Sequence, residues 1–171
     1  AWRPHQVWRH HLLGDEPDAL VAEEPDERFW IGVDDSRDHR WVLIESSSKL
    51  TSEVSLLPAA DPTATPRVVA DREQGVDYSV EVAPDGLWIL HNAEAPQFAL
   101  SRAPFSATSR AEWELVLPED PRRRLTGVSV YERAIVVEHR TDGLPGVLVL
   151  SRDSAGNVGQ TLELQFDEVL Y

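Results

Sequence analysis

Four short β-like runs recur three times along this chain, at a nearly constant interval. The leading run of each set begins at Phe29, Tyr78 and Gly127, so successive sets lie 49 residues apart. Second runs begin at Trp41, Leu87 and Ala134, spaced 46 and 47, and third runs near Glu53, Phe98 and Val147, spaced 45 and 49. "PRVVAD" (66–71), "WELVL" (113–117) and "TLELQF" (161–166) close the sets. Within runs such as "RWVLIE" (40–45), "VDYSVEV" (76–82) and "AIVVEH" (134–139), β-branched and aromatic residues alternate with polar ones. That is the period-two pattern of a strand with one buried face. Turn-forming residues fall between the runs, in "APDG" (83–86), "TDGLPG" (141–146) and "DSAGN" (153–157), where Gly, Pro, Asn and Asp favour tight reversals. No stretch of ten or more residues carries a sustained helical stripe. The predicted fold class is all-β and antiparallel.

Four strands repeating at a period in the high forties match the blade of a β-propeller. An immunoglobulin-like sandwich has a similar strand density but no reason to repeat at this period. Before the first complete set, "QVWRHHLL" (6–13) and "DALVAEE" (18–24) read as the third and fourth strands of a further blade. The expectation is a propeller fragment of about three and a half four-stranded blades: an outer half-blade over 1–25 and whole blades over 26–71, 72–120 and 121–171. A closed ring takes about four to eight blades, so the sequence reads as an arc cut from a longer chain. Its abrupt opening on "AWRPHQVW", without Met, agrees with that. Cut blade faces would leave apolar patches and unpaired edges, and self-association of the fragment is expected to bury them.

Composition narrows the partners. The 171 residues are 42% hydrophobic and 27% charged, which suits one folded domain with a core. The net charge is −14 and the largest basic cluster is Arg122–Arg124, a poor match for nucleic acid or an anionic membrane. No apolar run approaches the length of a membrane span, and no basic-then-apolar leader opens the sequence. Cysteine is absent, which removes disulfides, thiolate metal sites and a cysteine nucleophile, and suits a cytoplasmic location.

One stretch holds every residue type of a hydrolytic triad. "DDSRDHR" places Asp34, Asp35, Ser36, Asp38 and His39 side by side. Triad members converge from distant rigid supports, whereas these are consecutive and sit where a hairpin joins the first two strands of a blade. Their side chains bond the local backbone readily, so the group reads as a turn. The histidines are His5, His10, His11, His39, His91 and His139. His10 and His11, read as strand neighbours, would face opposite ways, and His91 and His139 fall at matching ends of second strands one blade apart. Neither pair suits a shared metal. "SSS" (46–48) reads as the turn after a second strand, and the six tryptophans as anchors between blades. No G-x-S-x-G elbow, Gly-rich phosphate loop or zinc spacing occurs. No residue is therefore assigned a catalytic, cofactor or metal role, and no cofactor is expected. Two other functions fit an acidic β-repeat: a module that presents loops to a protein partner, and the propeller of a glycosidase. For the glycosidase, Asp34/Asp35 or Glu23/Glu24 would be the paired carboxylates, but strand neighbours face opposite ways.

Several stretches, in order, resemble one family. "HQVWRHHLLG", "LVAEEPDERFWIGV", "SSSKLTSEVSLL", "VVADREQGVDYSVE" and "VEHRTDGL" are similar to the propeller of the oligopeptidase B branch of the prolyl oligopeptidase family of serine peptidases. The similarity runs from about Gln6 to Tyr171. It implies a parent in which a seven-bladed propeller covers an α/β-hydrolase domain that carries Ser, Asp and His and cleaves short peptides after basic residues. The propeller would admit oligopeptides and exclude folded proteins. The hydrolase domain of the same polypeptide and oligopeptide substrates are then the implied partners. No residue of the family's triad maps onto any position of this chain.

Overall fold

The computed structural model describes residues 2–153 and 155–165, and the chain divides into two compact units, Ala1–Asp77 and Tyr78–Tyr171. Among the described residues every regular element is a strand, except a three-residue 3-10 turn at Arg110–Glu112. The all-β antiparallel prediction holds.

The first unit contains a hairpin of β1 (Gln6–Arg9) and β2 (Ala19–Glu23). Its sheet is built from β3 (Trp30–Asp35), β4 (Trp41–Ser47), β5 (Ser52–Pro58) and β6 (Arg67–Val68). The second unit holds two sheets. One runs β7 (Tyr78–Ala83), β8 (Gly86–His91), β9 (Ala99–Ala103) and β10 (Glu114–Leu117). The other runs β11 (Arg123–Val130), β12 (Ala134–Thr141), β13 (Leu144–Arg152) and β14 (Val158–Glu163). Each four-stranded sheet is an antiparallel meander in which chain neighbours are sheet neighbours, the topology of a propeller blade.

Alternation explains the cores. In β5, Ser52, Val54 and Leu56 are buried while Glu53 and Ser55 are only half-buried. In the second unit, Trp88, Leu90 and Leu100 of one sheet, with Phe98 just ahead of its third strand, pack against Leu125, Ile135, Val137, Leu148 and Leu150 of the other. Burying each such side chain contributes about 1.5–3 kcal/mol, so the repeat in sequence is a repeat of sheet faces that need a partner. Turn chemistry sets the register. Asp142 and Gly143 join β12 to β13 with φ of 52° and 82°, the left-handed pair that a two-residue hairpin requires.

Several boundaries differ from the sequence prediction. The leading strand of the last set starts at Arg123 rather than Gly127, because a bulge between Leu125 and Gly127 lets pairing with β12 continue past Thr126. β9 starts at Ala99, because Phe98 takes a positive φ of 66°. β14 begins at Val158, since the Asp153 carboxylate collects the amides of Ala155 and Asn157 and ends the turn there. Phe166, predicted as its last residue, lies outside the described residues. Ser46 and Ser47 belong to β4 and only Ser48 enters the turn, where its amide and hydroxyl both reach the Thr51 carbonyl. β1 ends at Arg9, so His10 and His11 sit in the loop and not in a strand; His10 Nδ1 lies 2.8 Å from Asp18 across that loop. The tryptophans divide: Trp88 is wholly buried, whereas Trp2, Trp8 and Trp30 are exposed, with Trp2 and Trp30 in edge-to-face contact at 5.1 Å.

Candidate functional site

The Asp-Ser-His group at 34–39 closes the β3–β4 hairpin. Main-chain bonding joins Ser36 N–H to the Trp41 carbonyl at 2.9 Å. The buried Ser36 hydroxyl donates to Asp38 Oδ1 at 2.7 Å and accepts the Trp41 amide at 3.0 Å. His39 turns through a φ of 56°, and its Nδ1 pairs with Asp35. Serine and histidine thus each engage a different carboxylate, and no bond joins them. An activated serine needs the base on its own hydroxyl. The Ser36 hydroxyl, with the Arg40 amide and charge, holds the Asp38 carboxyl below its usual range, which suits a carboxylate fixed in a turn.

The other sequence-flagged residues are scattered. His5 Nδ1 lies 3.1 Å from the Arg3 carbonyl. Glu23 accepts from Gln6 at 2.7 Å on the exposed side of the first hairpin, while its neighbour Glu24 is buried. Asp34 accepts the Asp35 amide at 2.9 Å. His91 ends β8, is 7% exposed, and sets Nε2 at 2.9 Å from the hydroxyl of Ser101, itself 2% exposed. Burial first, and the Arg110 charge second, push His91 below the ordinary histidine value. The ring packs 4.9 Å from Trp113. Around this pair lies a cavity of about 670 Å³, lined by Glu94, Ala95, Arg110, Trp113 and Leu115 among others. Sequence reasoning missed it. Its walls come from β8, β9 and β10 and from the segments that connect them, and the loop after β8 carries positive φ at Glu94 and Phe98, which residue type does not announce.

One arginine in each unit joins neighbouring sheets, the half-buried Arg72 in the first and the buried Arg152 in the second. In the first, Glu24 Oε2 takes the Ser46 hydroxyl and the Arg72 guanidinium, while its Oε1 accepts the Asp26 amide at 2.9 Å. Arg72 also reaches Ser46 at 2.9 Å and lies 3.7 Å above the Phe29 ring. Burial raises the Glu24 carboxyl, but Arg72, Ser46 and the Asp26 amide outweigh it and hold the group below its usual value. In the second unit, Arg152 meets Asp85 at 2.6 Å and lies 5.6 Å from the Trp88 ring. These are sheet-to-sheet fastenings that sequence reasoning also missed.

Among the described residues no three His, Cys, Asp or Glu side chains cluster to hold a metal. Among the same described residues no helix is long and apolar enough to cross a membrane.

Antiparallel four-stranded meanders at this repeat, two of them packed face to face in the second unit, define a β-propeller segment. The sequence matches the family description "Prolyl oligopeptidase, N-terminal beta-propeller domain" over residues 2–170. The chain belongs to that family of serine peptidases. It is 31% identical over 170 residues to Protease 2 of Moraxella lacunata, covering 99% of this chain and 24% of that protein. It is 32% identical over 150 residues to dipeptidyl aminopeptidase BI of Pseudoxanthomonas mexicana, covering 86% of this chain and 21% of that one. Among solved structures, oligopeptidase B from Trypanosoma brucei with covalently bound antipain superposes with a TM-score of 0.88 at 30% identity, over 97% of this chain and 24% of that chain. The chain thus spans about a quarter of the length of these relatives.

Proposed function

We propose that this chain is the propeller segment of an oligopeptidase B-type serine peptidase that cleaves short peptides after basic residues in the cytoplasm. In this reading the four sheets are a half-blade and three blades. They dock an α/β-hydrolase domain of the same polypeptide and restrict access to its active site to short peptides. The observation that carries the reading is the superposition on oligopeptidase B at a TM-score of 0.88 across 97% of the chain. Two further features support it. The Ser36 hydroxyl is committed to Asp38 and Trp41, so the nucleophile is assigned elsewhere in the polypeptide, and a net charge of −14 favours basic peptides. A second cleavage mode has its own support in the likeness to dipeptidyl aminopeptidase BI.

The test uses the longer polypeptide that contains this chain. It is assayed with an N-blocked arginyl reporter, an N-blocked prolyl reporter and a free-amine dipeptidyl reporter. Preference for the arginyl reporter is expected, together with loss of turnover when the same residues are embedded in a folded protein. Preference for the dipeptidyl reporter would move the assignment to the second mode, and cleavage of the folded protein would remove the access role.

A further inference from the structure

We propose that the cavity beside His91 is a binding site for a free basic amino acid of the arginine type. The ligand carboxylate meets Arg110, and its two cationic groups meet Glu94 and Glu119 beside the Trp113 indole.

Chain organisation makes the hollow. Every residue that lines it falls between His91 and Glu119, so one sheet and its connections supply the whole site. His91 of β8 and Ala99 and Ser101 of β9 form the floor, with His91 paired to Ala99 across the two strands. Trp113 leads into β10, yet its ring packs edge-on to Tyr78 of β7 at 5.3 Å and lies 4.9 Å from the His91 ring. The sheet order is β10-β9-β8-β7, so the end of the β9–β10 connection reaches past β9 and roofs the floor. Local bonds hold that connection in shape. The Ser109 hydroxyl accepts the Ala111 amide at 3.2 Å, and Glu112 accepts the Thr108 amide at 2.9 Å. Alanines at 93, 95, 99 and 111 leave the space between floor and roof unfilled. Its volume of about 670 Å³ lies inside the range of about 300–1,000 Å³ usual for small-molecule sites, which set a few polar groups in an apolar lining.

Charge selects the ligand. The charged side chains of the lining are Glu94, Glu119 and Arg110. His91 adds no charge at neutral pH, because burial and then Arg110 push it below the ordinary histidine value. The Gln97 amide fixes the Glu119 carboxylate at 2.7 Å, and Glu94 stands exposed on a backbone with φ of 55°. Two carboxylates and one guanidinium are the inverse of a basic amino acid, which carries one carboxylate and two cations. A plain organic anion would face both glutamates, and a plain cation would face Arg110. One unmet hydrogen bond points the same way. The buried Trp113 Nε1 has no acceptor among the described residues, although buried donors are as a rule paired. A ligand carboxylate at Arg110 and Trp113 supplies that acceptor, and the indole face favours a guanidinium beside it. None of this depends on the peptidase reading.

The test titrates the longer polypeptide calorimetrically at neutral pH with L-arginine, with agmatine, which lacks the carboxylate, and with L-citrulline, which lacks the side-chain charge. L-arginine is expected to bind more tightly than either analogue. In Arg110→Gln its affinity is expected to fall about tenfold, while agmatine binds as tightly as before or more tightly, which also reports that the variant is folded. In Glu94→Gln, at an exposed position, L-arginine and agmatine are both expected to weaken about threefold. L-arginine affinity unchanged in both variants would place its binding elsewhere in the polypeptide and overturn the site. Absence of L-arginine binding would leave the cavity to water and overturn it too. Agmatine weakened as much as L-arginine in Arg110→Gln would overturn the assignment of the carboxylate to Arg110.

Discussion

His91 and His139 are both buried, at 7% and 3% exposure, and both are pushed below the ordinary histidine value of 6.5. For His91 the cause is burial and then Arg110; for His139 it is burial and then Arg123, with Glu163 opposing. The 3.5 Å separation between His139 Nε2 and Glu163 is thus a contact with a neutral ring and not an ion pair. A lowered folded value means that the unfolded chain takes up protons first as pH falls. The histidine contribution is complete above 6.5 and is lost on going down through the folded values. Denaturant midpoints measured from pH 7.5 to 5 are expected to fall below 6.5, and the slope to flatten in His91→Asn/His139→Asn. An unchanged slope in that variant would assign the acid sensitivity elsewhere. The sequence placed both histidines at the ends of second strands, which holds for His91, whereas β12 runs on past His139 to Thr141; it carried no sign of depth, which depends on what the neighbouring loops and strands cover.

At the scale of elements, β12 and β13 show what a pattern of residue types conveys and what it omits. Alternation marked both strands, and Asp142-Gly143 marked the turn between them. The pairing of His139 with Gly146 across them was not readable, yet it explains the glycine: a Cβ at Gly146 would overlap the His139 ring. Gly146→Ala is expected to lower stability by about 1–3 kcal/mol through overpacking, more than the gain from a stiffer unfolded chain. Thermal or denaturant unfolding checks it, and a neutral or stabilised variant would show that the ring has room to move. Strand existence was legible because burial enforces alternation. Strand starts were not, because the bulge beside Thr126 and the left-handed Phe98 are backbone solutions that several residue types permit. The "DDSRDHR" stretch read correctly as a hairpin, for its side chains find acceptors and donors within the turn itself.

For the whole molecule, the interval of 49 residues mattered more than any motif. A constant period requires a unit that is built the same way each time, and sheet faces that must be covered supply the reason. The candidate site was far less legible. The cavity by His91 and the Glu24–Arg72 and Asp85–Arg152 fastenings unite residues up to 67 positions apart, and no local pattern marks such pairs.

The proposed function requires that these residues form propeller structure of a serine peptidase family and supply no nucleophile. Its most direct test exposes this chain and the longer polypeptide to a fluorophosphonate serine-hydrolase probe, followed by peptide mapping. No adduct is expected on the chain alone, and one adduct is expected in the longer polypeptide, on a serine outside "AWRPHQVW…DEVLY". Stoichiometric labelling at Ser36, or at any other serine of these 171 residues, would contradict it.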